Sequence, residues 1–183
     1  DGDRLDDKQF GGEPGMVIKY QNASRAINAI KKSNPKTKVI FLTPKGKKLD
    51  NNLAKEMSTM GNISIICGRY EGFDERIIDQ YSDLEVSIGD YIVSGGEYPA
   101  VILRDSRSRM VKGFIGNEES VENGSLSNSL LKHPVYTRPA ELKVGKVPKL
   151  ITGGNHKKIK NFNRQESILS TLKRREDLLE TTD

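Results

Sequence analysis

Residues 63–76, ISIICGRYEGFDER, decide the fold class of this chain, because an apolar run passes directly into a charged loop punctuated by glycine. The apolar part has the length of a buried strand. Residues 85–97, EVSIGDYIVSGGE, repeat the same arrangement further along the chain. Ligands of open α/β sheets bind beyond the carboxyl ends of the strands. The two loops therefore predict a binding site at one edge of a sheet.

Strand-like runs alternate with helical patterns on either side of these loops. Residues 38–42 predict another buried strand, ended by a turn at residues 43–46, whereas residues 1–15 are a polar, glycine-rich loop. Helices are predicted after caps at Asn22 or Ser24 and at Asp50 or Asn51, around Ile77 and Ile78, and from about Pro99. The alternation predicts an α/β fold with a parallel sheet that is covered by helices on both faces.

The C-terminal part of the chain has a different pattern. Residues 112–130 lose hydrophobic periodicity and predict a flexible linker between a domain at residues 1–111 and a small, mostly helical domain at residues 131–183. Asn163 and Glu166 have the spacing of a capping box and predict the start of an amphipathic helix. Because the chain begins at Asp1 in a polar segment, we expect a preceding segment that carries the first strand of the sheet.

Composition bounds the function only loosely. The 183 residues contain 30 Lys and Arg against 25 acidic residues, and the basic excess is concentrated toward the C-terminal end. This distribution fits either a polyanionic partner or a solvated helical surface. The single Cys67 excludes an intramolecular disulfide and a cysteine-based zinc site, and it is typical of a small core residue. No apolar run approaches the ~20 residues that span a bilayer, so we expect no membrane partner.

The loops at residues 43–46, 68–74 and 87–96 would share one ligand if their strands are parallel. Glycine there allows close backbone approach, so that amide and carbonyl groups can bind the edge of an adenine. The chain has neither the dinucleotide-binding motif G-x-G-x-x-G before a helix nor the phosphate-binding motif G-x-x-x-x-G-K-S/T. Ser94 lacks the flanks of a nucleophile elbow. His133 and His156 lie too far apart to predict a local metal site.

Several blocks of the chain together resemble the bacterial tRNA (guanine-N1)-methyltransferases of the knotted class. In chain order they are LTPKG at 42–46, GRYEGFDER at 68–76, SIGDYIVSGGE at 87–97, HPVYTRP at 133–139, VP at 147–148 and GNH at 154–156. The resemblance covers nearly the whole chain, from about Asp6 to about Leu179. It implies a deep trefoil knot, which is an exception to the rule that chains do not thread loops.

The resemblance also implies the activity. The methyl donor would be S-adenosylmethionine, bound in a bent form in the knot, and the substrate would be the guanosine 3′ of the anticodon in a subset of tRNAs. The protein would be a cytoplasmic, obligate homodimer with composite active sites, and its nucleic-acid partner would be tRNA rather than DNA. Nothing in the sequence indicates a magnesium ion, although such a requirement stays open.

Site residues follow from the resemblance, block by block. The cofactor-binding residues that it implies are Phe41, Leu42, Thr43, Pro44 and Gly46; Gly68, Tyr70 and Glu71; and Ser87, Ile88, Gly89, Asp90, Tyr91, Ile92, Val93, Gly95 and Gly96. Arg109 matches the arginine that the family ties to catalysis and to tRNA contact.

The chain departs from the family at the position of its catalytic aspartate, where it has Gly124. Guanine N1 becomes nucleophilic only as its proton leaves, and a nearby carboxylate can accept that proton. We therefore expect Glu122 to replace the missing base, with Glu119 as another candidate. The alternative is a catalytically impaired relative that still binds tRNA. Smaller departures are Glu13 within a run of glycines, Phe162-Asn163 in place of Trp-Arg, and Glu176 in place of Pro.

Overall fold

The structure is a computed structural model that describes residues 4–116, 124–126 and 129–179. The chain divides into two compact units, Asp1–Ile115 and Gly116–Asp183. The first contains β1 (Asp6–Lys8), β2 (Met16–Ile18), α1 (Tyr20–Ser33), β3 (Lys38–Lys48), α2 (Asn51–Ser58), β4 (Ile63–Ile66), α3 (Glu75–Tyr81), β5 (Leu84–Ser87) and α4 (Glu97–Ser108). The second contains β6 (Glu141–Leu142), β7 (Gly145–Lys146), α5 (Lys149–Thr152), α6 (His156–Arg174) and a 3₁₀ turn (Glu176–Leu178). In the described part of the chain, no helix combines the length and the hydropathy needed to cross a membrane.

A three-stranded parallel sheet, in the order β4-β3-β5, organises the first unit. The β3–β4 pairing runs from Lys38 opposite Ile63 to Phe41 opposite Ile66. On its other edge, β3 pairs with β5 from Ile40 opposite Leu84 onward. The predicted α/β class and the parallel direction of the sheet are therefore confirmed.

Both faces of the sheet are covered, because side chains alternate between the faces of a strand. Val39 and Phe41 of β3 pack in one buried cluster with residues of α1 and α3, which include Ile27 and Ile77. Ile40 packs in a second cluster, whose other members are Leu53 and Met57 of α2, Val86 of β5 and Leu103 of α4. Burial stabilises each such side chain by roughly 1.5–3 kcal/mol. The two clusters hold β3 in place from both faces. Because β4 and β5 pair with β3, the ends of those two strands are positioned as well.

The helix starts agree with the sequence in one case and differ in two. Asp50 caps α2 by accepting a hydrogen bond from the Leu53 amide at 2.7 Å, as predicted. Neither Asn22 nor Ser24 caps α1, which begins at Tyr20 without a side-chain cap. The prediction that the C-terminal helix begins at Asn163 is wrong. Asn155 caps α6 by accepting a hydrogen bond from the Lys158 amide at 3.1 Å, so Asn163 lies inside the helix.

The loop predicted at residues 1–15 is interrupted by β1, which pairs with β2 in a two-stranded antiparallel sheet that the sequence did not indicate. Strand β2 is joined to the loop after β4, because the Ile18 amide donates to the Gly72 carbonyl at 2.9 Å and the Asp74 amide donates to the Ile18 carbonyl at 3.0 Å. The linker predicted at residues 112–130 falls partly outside the described residues, which omit 117–123 and 127–128. Its limits and its flexibility stay predictions.

Strand β3 extends to Lys48 because the predicted turn at residues 43–46 loops out and the chain then returns to the sheet. Val86 pairs with Leu42 before the loop and with Lys47 after it. Gly46 makes the return possible, since a Cβ there would overlap with the Glu85 carbonyl carbon and the Val86 nitrogen. The return of β3 to β5 therefore depends on the absence of a side chain at this position.

Replacing Gly46 with Ala should therefore lower the free energy of unfolding by about 1–3 kcal/mol, the usual cost of forcing extra atoms into a packed region. Urea unfolding followed by far-ultraviolet circular dichroism measures the change. Gly116→Ala is the matched control, because its added methyl group would meet no atom within 4 Å. Equal stability of the two variants would show that the return of β3 to β5 does not need glycine.

Candidate functional site

A cavity of about 390 Å³ lies where the looped-out segment of β3 and the loops after β4 and β5 meet. Its volume falls within the ~300–1,000 Å³ that is typical of small-molecule sites. Residues 42–45, 68–73, 75, 78, 86–89, 91–96 and 99 line it. The three loops that the sequence singled out thus come together around one cavity.

Most of the predicted cofactor-binding residues line this cavity. They are Leu42, Thr43, Pro44, Gly68, Tyr70, Glu71, Ser87, Ile88, Gly89, Tyr91, Ile92, Val93, Gly95 and Gly96.

Three predicted residues lie outside the lining. Phe41 is only 1% exposed and packs edge-to-face on Phe73, with ring centroids 5.4 Å apart. Gly46 lies against the backbone of β5. Asp90 is exposed and forms an ion pair with Lys48, with Nζ and Oδ2 2.9 Å apart. Phe41 therefore packs in the core, Gly46 allows β3 to pair with β5, and Asp90 forms a surface ion pair.

The predicted catalytic residues lie away from the cavity lining or outside the described residues. Arg109 is exposed at the C-terminal end of α4, where its backbone amide donates to the Asp105 carbonyl at 3.0 Å. Glu122 and Glu119 fall in the part of the chain that the structure does not describe, so the identity of the base stays a prediction. In the described residues, no three His, Cys, Asp or Glu side chains converge in a way that could hold a metal ion.

Sequence reasoning missed several residues of the lining, among which Lys45, Arg69 and Glu75 carry charge. Lys45 belongs to the quoted block LTPKG, and the other two belong to GRYEGFDER. Their membership in the same loops as the predicted residues was a usable signal. The resemblance, however, implies only particular positions within each block, and these three are not among them.

The loop after β5 is held in shape by contacts within itself. Ser87 is buried, and its hydroxyl donates to the Gly89 carbonyl at 3.1 Å and accepts from the Gly89 amide at 3.2 Å. Gly89 has a φ of +147°, and a Cβ there would overlap with the Tyr91 ring. The Tyr91 hydroxyl in turn donates to the Ile88 carbonyl at 3.2 Å. Glycine at position 89 is therefore required by both the backbone angle and the neighbouring ring.

The loop after β5 is also tied to the end of β4. The Gly96 amide donates to the Gly68 carbonyl at 3.0 Å, and a Cβ on Gly96 would lie 2.7 Å from the Cα of Cys67. Beside this contact, the Arg69 Nε and Nη2 atoms both donate to Glu97 Oε1, at 3.0 and 2.8 Å. A backbone N–H at the start of α4 and the Arg69 guanidinium together lower the pKa of Glu97, which keeps this pair charged.

Burial raises the pKa of the Cys67 thiol, which is therefore no activated nucleophile.

The charged part of the lining contains a second ion pair. Lys45 Nζ lies 3.0 Å from Glu75 Oε2, so the looped-out segment of β3 is joined to the first residue of α3. The hydrogen bond to Glu75 raises the pKa of Lys45. Other parts of the lining are apolar, with Leu42, Ile88, Ile92 and Val93 among them. The cavity thus combines an apolar wall, glycine-rich backbone and charged groups of both signs.

The second unit presents a basic helix surface. Along α6, Lys157, Lys158, Lys160 and Arg164 are exposed. Two turns after Arg164, the helix is anchored through Thr171, which is fully buried and accepts a hydrogen bond from the Leu131 amide at 2.9 Å. Exposed lysine and arginine side chains on one helix are typical of a surface that binds phosphates.

Comparisons with known proteins agree with this arrangement. The family model described as "tRNA (Guanine-1)-methyltransferase TrmD" matches residues 1–181. A protein of Caldicellulosiruptor saccharolyticus named tRNA (guanine-N(1)-)-methyltransferase is 49% identical over 176 residues, which cover 96% of this chain and 71% of the relative. Relatives of the same name from Vibrio vulnificus and Clostridioides difficile are 48% and 46% identical over 177 and 179 residues. Each alignment covers 96% of this chain, with 71% and 77% of the respective relative. The chain therefore belongs to the family of tRNA (guanine-N1)-methyltransferases.

Proposed function

We propose that the protein transfers the methyl group of S-adenosylmethionine to N1 of the guanine 3′ of the anticodon in tRNA. The observation that carries the proposal is the convergence of three glycine-containing loops around one cavity of about 390 Å³, in a chain of this family. The site of action on tRNA and the identity of the methyl donor rest on the family resemblance. The geometry supports them through the fit of the cavity to such a ligand.

The lining suits S-adenosylmethionine in both shape and chemistry. Backbone amide and carbonyl groups of residues 88–96 would hold the adenine, while Leu42, Ile88 and Pro99 would cover its faces. Positions 68 and 89 have no room for a side chain, because a Cβ on Gly68 would meet the Phe73 ring and a Cβ on Gly89 would meet the Tyr91 ring. Glycine at both positions would therefore leave the backbone groups accessible to the ligand. When bound, S-adenosylmethionine supplies an electrophilic methyl group. The loops would hold that group in one orientation, and such alignment supplies a large part of the rate gain in transfers of this kind.

The protein's own residues must remove the N1 proton and stabilise the charge that remains on the guanine. Arg109 is exposed and would donate to the guanine O6 as negative charge develops there. The proton acceptor would be Glu122, since Gly124 stands where the family has its aspartate. The alternative function, a catalytically impaired tRNA-binding relative, is favoured by that same glycine.

The proposal includes a homodimer, because α4 exposes an apolar face. Tyr98, Val101 and Ile102 are 73%, 65% and 46% exposed, and their spacing places them on one side of the helix. The opposite side is buried through Pro99 and Leu103. Contiguous exposed apolar surface of this kind marks interaction sites. A second copy of this chain packed on α4 would cover the face and complete the composite active site that the resemblance implies.

The remaining parts of the proposal concern tRNA, location and topology. The exposed basic residues of α6 would contact tRNA phosphates, and we place the protein with its substrate in the cytoplasm.

The deep trefoil knot belongs to the proposal as well. The close packing of Gly96 on the end of β4 supports it, because it brings the loop after β5 to the end of the strand on the other side of β3.

Incubation with labelled S-adenosylmethionine and unmodified tRNA should yield N1-methylguanosine, but slowly, because the family's proton acceptor is replaced. Gly124→Asp should raise the single-turnover rate by about 10²-fold, the lower end of what a positioned general base contributes. Cofactor and tRNA affinities should stay the same. Gly116→Asp is the control, since it adds the same charge near the same segment. A parent protein that binds tRNA but forms no N1-methylguanosine would support the impaired relative instead.

Gly89→Val should abolish S-adenosylmethionine binding, because a branched side chain would displace Tyr91 from the lining and strain the backbone. Isothermal calorimetry measures the affinity, and a thermal melt establishes that the variant is folded. Gly116→Val is the matched control at an open position outside the lining. Unchanged affinity in a folded Gly89→Val protein would remove the loop after β5 from the binding site.

Val101→Glu should convert the homodimer to a monomer, because it places a charge at the centre of the apolar face of α4. Sedimentation velocity at micromolar concentration measures the state. Val144→Glu is the control, since Val144 is 94% exposed in the second unit and outside this face. A parent protein that sediments as a monomer with full activity would contradict the proposed dimer.

A further inference from the structure

A second, smaller cavity of about 270 Å³ lies between the start of α1 and helix α3. Tyr20, Gln21, Arg76 and Gln80 line it, and each of these side chains carries a hydrogen-bonding group. Tyr20 and Gln21 are the first two residues of α1, whereas Arg76 and Gln80 lie one turn apart on α3. We call this cavity the α1–α3 groove. All four residues lie outside the lining of the larger cavity.

Arg76 is held in place by two neighbours and yet stays exposed. Its guanidinium carbon lies over the Tyr20 ring, 6.0 Å from the centroid. Its Nε and Nη2 atoms donate to the two carboxylate oxygens of Asp74, at 2.8 and 2.5 Å. The Arg76 side chain is nevertheless 73% exposed. A guanidinium fixed in this way, with an aromatic ring on one side, offers its other side as a flat surface on which a base can stack.

The hydrogen-bonding groups of the groove are mostly donors. The Tyr20 hydroxyl donates to Oε1 of Gln80, so this amide presents its two Nε2 donors. Asp74 engages Nε and Nη2 of Arg76, which leaves the two Nη1 donors. Within the described residues, the hydrogen bonds of Gln21 all use its backbone, so its whole side-chain amide is available. The groove therefore fits a ligand that is rich in acceptors.

The charge of the groove distinguishes a base from a phosphate. The hydrogen bonds from Arg76 lower the pKa of Asp74, so this carboxylate is ionised beside the guanidinium. A phosphate at Arg76 would meet the negative charge of Asp74 as well. A base carries no charge, and the carbonyl oxygens and ring nitrogens of guanine or uracil are acceptors for the available N–H groups. The groove is thus better suited to a base than to a phosphate.

We propose that the α1–α3 groove binds an unstacked base of the substrate tRNA, other than the methylated guanine, with that base stacked on Arg76 and its acceptor atoms facing Gln21 and Gln80. The inference rests on the proposed tRNA substrate and goes beyond it by adding a base-binding site separate from the larger cavity. Bases of single-stranded RNA are commonly recognised by stacking on a guanidinium plane combined with hydrogen bonds to their edges.

Helix α3 connects the groove to the larger cavity. Glu75 and Ile78 line the larger cavity, whereas Arg76 and Gln80 line the groove. A helix with its side chains is only about 10–12 Å across, so a loop of RNA that places its guanine at the larger cavity can bring a neighbouring base to the groove. The sequence gave no sign of this arrangement, because the Tyr20–Gln80 bond joins residues 60 positions apart.

Removing the two amides tests the contact with the base edge. Gln21→Ala combined with Gln80→Ala should weaken binding of unmodified tRNA about tenfold, as expected for two lost hydrogen bonds. Affinity for S-adenosylmethionine should stay the same. Fluorescence anisotropy measures tRNA binding to the 183-residue chain, calorimetry measures the cofactor, and a thermal melt establishes that the variant is folded. Asn52→Ala is the matched control, because it removes an exposed amide from α2, which packs on the opposite face of the sheet.

Arg76→Lys tests the stacking, because lysine keeps the positive charge and loses the planar group. This variant should also bind tRNA about tenfold more weakly, which is within the range for one lost stacking contact. A phosphate contact, in contrast, would survive the change, because lysine binds phosphate as a point charge.

The outcomes separate this inference from the proposed function. Unchanged tRNA affinity in the folded double variant overturns the inference, and so does parent-like affinity of Arg76→Lys, which indicates a phosphate. A protein that shows the expected losses of tRNA affinity but forms no N1-methylguanosine supports the groove and contradicts the proposed methylation. A parent protein that binds no tRNA overturns both.

Discussion

The close approach of Gly96 to the end of β4 is the contact on which the rest of the site depends. A Cβ at this position would lie 2.7 Å from the Cα of Cys67 and 2.9 Å from the Gly68 nitrogen, closer than packed atoms can stand. The missing side chain lets the Gly96 amide reach the Gly68 carbonyl. That hydrogen bond joins the residue that precedes α4, at the end of the loop after β5, to the start of the loop after β4.

Two exposed ion pairs also lie at the cavity, but they do not hold the fold together. The Arg69–Glu97 pair joins the loop after β4 to the start of α4, and the Lys45–Glu75 pair joins the looped-out segment of β3 to the start of α3. All four side chains are at least half exposed. Exposed pairs contribute little to stability, whereas the buried clusters around Phe41 and Ile40 contribute most of it. The fold is therefore fixed by aliphatic packing and glycine, whereas the cavity presents exposed charged groups that contribute little to the stability of the fold.

This division explains which features could be predicted from the sequence. Apolar runs and caps predicted the parallel sheet and its helices, because those signals are local and the core reinforces them. The start of α6 was placed wrongly because Asn155 and Asn163 both carry a capping signal, and only the fold shows which one is used. Phe41 belongs to the core for a reason that the sequence also contains. It lies in an apolar run whose residues alternate between the two buried clusters, with Val39 and Phe41 in one and Ile40 in the other. In contrast, the Lys48–Asp90 and Arg69–Glu97 pairs join residues 42 and 28 positions apart, so no local pattern announces them.

The same division bears on Gly124. The fully buried members of the two described core clusters come from β2, α1, β3, α2, α3, β5 and α4, so Gly124 is not one of the buried residues that pack against the sheet. The cavity and the apolar face of α4 can therefore persist whether or not a carboxylate stands there. A proton acceptor, by contrast, must lie within hydrogen-bond reach of guanine N1, and a displacement of about 1 Å can cost ~10²-fold in rate. The buried clusters therefore set the fold, whereas the proposed effect of Gly124 is on the rate of methylation alone.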